Sequence, residues 1–298
     1  MMGDAWRRCR QRQGRWASRV YGSVAARRAG AACLLLAAIA VVTTLARTSG
    51  AAAVQDRPTL GQEGKDVEWV PTPDALVGTM LTMAHVTPED FVVDLGSGDG
   101  RTAIEAARRG ARALGVEYDA GLVALSRERA DAAGVDDRAR FVQADLFDVD
   151  LAEATVVTLF LLPDLNLELR PRLLQLAPGT RIVSNTWDMG DWAADETVVL
   201  DPCPGFCTAL FWIVPARVGG DWTASDGSLT LTQQYQTVSG VLRRGGERYE
   251  VEEGRLFGAD LTFRAGGAHY RGRVSGDRLE GSVATGDTAA RWSARRTP

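Results

Sequence analysis

Residues 94–101 read DLGSGDGR, placing glycines at 96, 98 and 100 directly behind an acid, Asp94. Glycine tolerates positive φ and lets another molecule approach the backbone closely, so three alternating glycines after the β-branched pair Val92-Val93 suit a ligand-binding turn. A nicotinamide-binding turn would read G-x-G-x-x-G and hold a pyrophosphate at a helix N-terminus. Here the sixth position is Arg101 and the third glycine falls one residue early, giving D-x-G-x-G-x-G. That spacing suits S-adenosyl-L-methionine, whose amino-acid end carries an ammonium that an acid beside the loop can accept. Two further acids follow. Glu117 stands 23 residues after Asp94, where a carboxylate can take both ribose hydroxyls, and Asp145 in QADLF is placed to reach the adenine edge. Each closes a strand-like run, and the carboxyl ends of strands are where open α/β sheets bind ligands.

The elements that must carry these residues alternate. FVVDL (91–95) reads as a buried strand and 101–109 as a helix. A second strand ends at Glu117, 120–134 is a helix closed by Gly134, and ARFVQADLF gives a third strand. ATVVTLFLLP (154–163) reads as a fourth, NLELRPRLLQL as a helix that bends at Pro171, and GTRIVSNTW as a fifth. ETVVLD and CTALFWIVPA look like a closing pair. Ahead of these, Leu76, Met80, Leu81 and Met83 recur at helical spacing after the Pro-rigidified WVPTP. Apolar strands linked by helices predict an α/β fold, a doubly wound, seven-stranded, mostly parallel sheet covered on both faces. After residue 218 the periodicity drops to two, with Gly or Gly-Asp breaks, which predicts six to eight antiparallel strands in a small barrel or half-barrel.

The chain has 298 residues and a net charge of −4, unevenly spread. Residues 1–53 carry nine arginines against Asp4, which leaves the remainder at about −12. An acidic body repels phosphate backbones and argues against nucleic acid as a partner. The basic start leads into eighteen uncharged residues, 29–46, with small residues at 51–53. The pattern predicts either a cleaved signal peptide or a membrane anchor over 1–53, with the body outside the cytoplasmic membrane or exported; a start downstream of the run would leave a cytoplasmic protein. Residues 54–68 read as a linker, 69–218 as the cofactor-binding domain and 219–298 as the β-rich domain. Cys203 and Cys207 flank PGF, a spacing that suits a structural or incidental pair better than redox chemistry, and no metal site is expected with only His85 and His269 as imidazoles.

With these motifs in place, the chain resembles the class I, seven-stranded S-adenosylmethionine-dependent methyltransferases over about 69–216. WVPTP, DLGSGDGR, VQADLF, ATVVTLFLLPDLNLELRPRL and PGTRIVS look like a bacterial branch related to the mitochondrial lysine methyltransferases that act on a membrane component of the ATP synthase and on the adenine nucleotide translocator. The resemblance implies N-methylation of a protein lysine, with a membrane-embedded substrate and membrane association among its implications, since those enzymes also carry a hydrophobic segment. It implies that Pro71, Thr72 and Pro73 close over the cofactor while Asp94, Gly96, Gly98, Gly100, Glu117 and Asp145 hold it. LFLLPDLN stands where base methylases carry an Asn-Pro-Pro-Tyr type motif, which counts against base methylation. SNTWDMGDW departs from the His-aromatic-Asp arrangement of relatives. Asn166 and Asp188 are the candidates to orient the incoming amine or accept from it. Asp188 can equally cap a turn, and Trp187 and Trp192 can line a substrate groove or pack the sheet edge. Two other functions fit less closely: methylation of a small molecule or lipid, and a non-catalytic exported binding protein on a methyltransferase scaffold.

Overall fold

The computed structural model describes residues 69–203 and 205–297. Strands β1 (Phe91–Leu95), β2 (Arg112–Glu117), β3 (Ala139–Gln143), β4 (Val156–Leu159), β5 (Arg181–Asn185), β6 (Glu196–Val199) and β7 (Thr208–Ile213) form one sheet in the order β3-β2-β1-β4-β5-β7-β6. β1 to β5 pair in parallel, and β7 runs antiparallel to β5 and β6. The order reverses between β1 and β4, which opens a crevice at their carboxyl ends. This is the fold expected from the sequence.

Alternation along β1 explains the two cores. Val92 joins helices α1 (Asp74–Met83), α2 (Arg101–Arg108) and α3 (Ala120–Ala132) on one face, through Leu76, Met80, Ile104 and Val123. Val93 and Leu95 turn to the other face, where Leu169 and Leu173 of α4 (Pro163–Leu173) pack with Trp192 and Trp212. Asp119 caps α3 by accepting from Leu122 N at 2.9 Å. α4 starts at Pro163, where the missing N–H costs nothing, three residues earlier than the sequence suggested. Correspondingly β4 stops at Leu159, and the apolar run Phe160-Leu161-Leu162 belongs to the loop after it.

Eight strands, β8 (Gly220–Ala224), β9 (Gly227–Gln234), β10 (Thr237–Arg244), β11 (Glu247–Phe257), β12 (Asp260–Ala265), β13 (Ala268–Ser275), β14 (Arg278–Thr285) and β15 (Thr288–Arg296), form a closed antiparallel barrel. Each pairs with its successor, and β15 returns to β8 through Ala294 and Ala224. Trp222, Leu242, Phe263, Tyr270 and Trp292 fill the interior, so it is a packed core. The sheet and the barrel lie in one compact unit. Ala216 N donates to Gly258 O at 2.8 Å, and Gln236 Nε2 donates to Ala193 O at 2.7 Å.

Among the described residues no helix is long and apolar enough to cross a membrane. The described residues thus give the membrane or exported location, the membrane-embedded substrate and the membrane association read from the sequence no spanning helix to rest on, and those expectations are withdrawn. The run 29–46 on which those expectations rested, and the stretch 54–68, lie outside the described residues.

Candidate active site at the carboxyl edge of the sheet

Gly96, Gly98 and Gly100 have φ of +74°, +54° and +79°, so the turn between β1 and α2 is left-handed at each. Gly96 N and Ser97 N both donate to Val116 O, at 2.9 and 3.0 Å, which pins the turn to the end of β2. Glu117 Oε2 accepts from Gly98 N and its Oε1 from Asp119 N, both at 2.9 Å, so two peptide groups fix the carboxylate at the strand end. Ser126 Oγ of α3 donates to Gly98 O at 2.9 Å. A Cβ on Gly98 would sit 2.5 Å from Trp69 Nε1, so the indole covers this peptide. Ala144 N donates to Glu117 O at 3.0 Å, which brings the β3 end alongside. There Asp145 Oδ1 accepts from Phe147 N at 2.9 Å.

Asp94 is buried under the turn and accepts from Thr158 Oγ1 at 2.6 Å. Burial pushes its carboxyl up to about 7; the Thr158 hydrogen bond opposes this, and the charges of Asp99 and Glu117 add to it. Asp99, in the same turn, behaves oppositely. Against the upward push of burial, the hydrogen bond and charge of Arg101 and the charge of Arg129 hold it below the ordinary carboxylate value. Arg101 Nη2 lies 2.7 Å from its Oδ2, and Arg129 pairs with the same oxygen.

Arg101 also ties down the segment ahead of α1. Its Nη1 donates to Thr72 O at 2.9 Å, while Thr72 Oγ1 accepts from Asn185 Nδ2 at 3.2 Å. Thr72 is buried and Pro71 half-buried, so the segment is anchored from α2 on one side and β5 on the other. Thr186, the first residue after β5, has a φ of +63°, an outlier for a β-branched side chain. Sequence reasoning singled out neither Thr158 nor Ser126. Thr158 left one signal, a hydroxyl inside the otherwise apolar VVTL.

Asn166 of α4 is fully buried. Its Nδ2 donates to Trp187 O at 3.0 Å and Asp188 O at 3.3 Å, and its Oδ1 has no partner among the described residues. Ser184 Oγ donates to the same Trp187 O at 2.6 Å. Asp188 is exposed, and its Oδ1 accepts from Gly190 N at 3.0 Å, closing a turn. Asn166 therefore grips the backbone that carries Asp188, and the two side chains do not converge. Trp187 is half-buried, whereas Trp192 packs at the sheet face on Trp212 and Tyr235. Cys203 and Cys207 are joined by a disulfide.

The family model for the ANTKMT methyltransferase domain matches residues 94–196. Over 138 residues the chain is 41% identical to a protein-lysine N-methyltransferase of Saccharolobus islandicus (strain REY15A), covering 45% of this chain and 86% of that protein. The chain belongs to this methyltransferase family. It is also 39% identical over 107 residues to an ATP synthase C-subunit lysine N-methyltransferase of Mus musculus, covering 36% of this chain and 43% of that protein, so it spans under half of that relative. A solved RNA methyltransferase of Salinibacter ruber, in complex with S-adenosyl-L-homocysteine, shares 50% identity over 50% of this chain and 96% of its own, at a TM-score of 0.48. The methyltransferase takes S-adenosyl-L-methionine as cofactor. The donor set at the edge has the chemistry such a molecule needs: a left-handed glycine turn, the N-terminus of α2, and the carboxylates of Asp94 and Glu117.

Proposed function

We propose that the enzyme methylates the ε-amine of a protein lysine. The observation that carries this is the alignment with a protein-lysine N-methyltransferase over 86% of that protein's length. The acidic body and the FLLPDLN sequence after β4 agree with it. In this reading Asp94 takes the cofactor's ammonium, Glu117 its ribose hydroxyls and Asp145 its adenine edge. Gly96, Gly98 and Gly100 give the backbone room, and Pro71 with Thr72 forms the cover.

The cofactor supplies a methyl group already activated by a sulfonium. What the protein must add is orientation: a neutral amine held in line with the methyl at contact distance, so that one C–S bond breaks as one N–C bond forms. A lysine amine titrates near 10.4, so it must shed a proton before attack. Asp188, exposed at the rim, attracts the incoming ammonium by its charge. Asn166 is a positioning residue, acting through the Trp187–Asp188 backbone that its amide holds.

The test uses the 298-residue chain with methyl-tritiated S-adenosylmethionine and a panel of poly-L-lysine, bacterial protein extract, total RNA and lipid vesicles, followed by mass spectrometry of the labelled fraction. Label recovered as ε-N-methyllysine supports the reading. Label confined to RNA, lipid or a small molecule overturns it.

A further inference from the structure

The β6–β7 hairpin carries a feature that the cofactor half does not use. Because β7 runs antiparallel to β5, its first residue lies at the carboxyl end of β5, where Thr186 N donates to Thr208 O at 2.7 Å. The hairpin tip, with the Cys203–Cys207 disulfide, therefore overhangs the same edge as the glycine turn. Phe206 in that tip has a φ of +54° and remains 43% exposed. Its ring meets Phe160, in the loop after β4, with centroids 5.4 Å apart and planes tilted by 59°.

Phe160 is next to Leu161, whose Cδ2 would lie 2.7 Å from a Cβ on Gly96. A short apolar path thus leads from the cofactor turn, through Leu161 and Phe160, to the partly open Phe206 ring. Exposed acids stand along this edge: Asp164 in the first turn of α4, Asp188 after β5 and Asp201 in the hairpin tip. Tilted aromatic faces attract alkylammonium groups and cover aliphatic stems, and nearby carboxylates reinforce that preference.

We propose that Phe160 and Phe206 form the acceptor channel and that Phe206, held by the cystine-closed loop, is a specificity-determining residue for an alkylammonium side chain. The rings flank the aliphatic stem and the carboxylates draw its charged end. The inference rests on the lysine reading and deepens it. Phe206 is exposed, so its truncation leaves no cavity in the core.

The experiment is steady-state methyl transfer to poly-L-lysine by the whole chain, with S-adenosylmethionine affinity measured by calorimetry in parallel. In Phe206→Ala the KM for poly-L-lysine rises about tenfold, while kcat and cofactor affinity stay within about twofold. Phe206→Tyr, which keeps the ring, restores the KM. Cys203→Ser shifts the KM in the same direction by a smaller factor, since the loop is then untied and the ring retained. An unchanged KM in a Phe206→Ala chain that still binds cofactor overturns the inference alone, as does a loss that Phe206→Tyr shares. A wild-type chain that binds cofactor and labels RNA, or nothing, fails the lysine reading, and the channel falls with it.

Discussion

At the end of β2, peptide groups hold the Glu117 carboxylate; after β5, side chains hold the peptide groups of a loop. Glu117 is fixed by Gly98 N and Asp119 N. Across the crevice, Ser184, Asn166 and Arg170 donate to the carbonyls of Trp187, Asp188 and Met189. The first arrangement presents a charge in one geometry and suits a ligand that never changes. The second freezes a loop and leaves its outward side chains, such as exposed Asp188, open to variation with the acceptor. A carboxylate held by backbone at the cofactor turn and a loop held by side chains on the acceptor side should respond differently to mutation.

The largest separation comes from Glu117→Ala. It removes the acceptor of two peptide N–H groups and the proposed ribose contact, each hydrogen bond to a charged group being worth about 1.5–3 kcal/mol. S-adenosylmethionine affinity should fall on the order of 100-fold or more by calorimetry. Glu117→Gln, which keeps one oxygen acceptor, should fall less. The contrast breaks if Glu117→Ala binds the cofactor within about threefold of wild type.

Asp94 gives a smaller, pH-dependent effect. Its carboxyl is raised by burial from 3.8 to about 7. Between those values the folded chain holds a proton that the unfolded chain has released. Its contribution to stability is therefore full below about 4 and is lost as pH rises through about 7. In the proposed reading cofactor binding runs the other way, because an ammonium held by Asp94 needs the ionised form. Affinity should be about tenfold weaker at pH 6 than at pH 8, following the ionised fraction. In Asp94→Asn that dependence should flatten, and so should the loss of thermal stability between pH 5 and pH 8. A wild-type affinity that is level across this range would place Asp94 outside the ammonium site.

The same contrast explains what the sequence made legible. The glycine turn, Asp94 and Glu117 could be located because their spacing is local to one βαβ unit, and the sheet followed from apolar runs punctuated by glycine. Contacts made over long separations were not legible on either side: Thr72 meets Asn185 across 113 positions and Thr158 meets Asp94 across 64 around the cofactor turn, and Arg255 meets Asp195 across 60 beside the acceptor loop. No local periodicity records such contacts. Phe160-Leu161-Leu162 read as strand because apolar content persists past Leu159, although the chain there has left the sheet to pack on Gly96 and meet Phe206. Period-two stretches gave away the barrel strands, but closure depends on β15 finding β8, a pairing of first and last strands that the stretches themselves do not specify. The apolar run 29–46 weighed heavily in the reading of location, yet it lies outside the described residues, among which no helix is fit to span a bilayer.

The smallest effect tests whether the barrel belongs to the acceptor side. Tyr235, between β9 and β10, stacks on Trp192 with centroids 5.9 Å apart and planes 16° apart, and its hydroxyl donates to Asp191 Oδ1 at 2.9 Å. Arg170 of α4 lies over the same ring at 5.7 Å and donates to Met189 O at 2.6 Å. Arg255 of β11 pairs with Asp195 at 2.6 Å, and Asp195 Oδ2 in turn accepts from Ile213 N at 2.9 Å. The loop from Trp187 to Asp195 is thus clamped between α4 and the barrel. Tyr235→Ala removes a stack worth about 0.5–1.5 kcal/mol, so the melting temperature should drop by about 3 °C. Through the loosened loop, kcat/KM for the acceptor should fall about threefold while cofactor affinity holds. Tyr235→Phe keeps the stack and loses only a hydrogen bond to an exposed carboxylate, so it should stay close to wild type in both readouts. If cofactor affinity falls in step with acceptor transfer in Tyr235→Ala, the barrel braces the whole sheet and the division between the two sides does not extend to it.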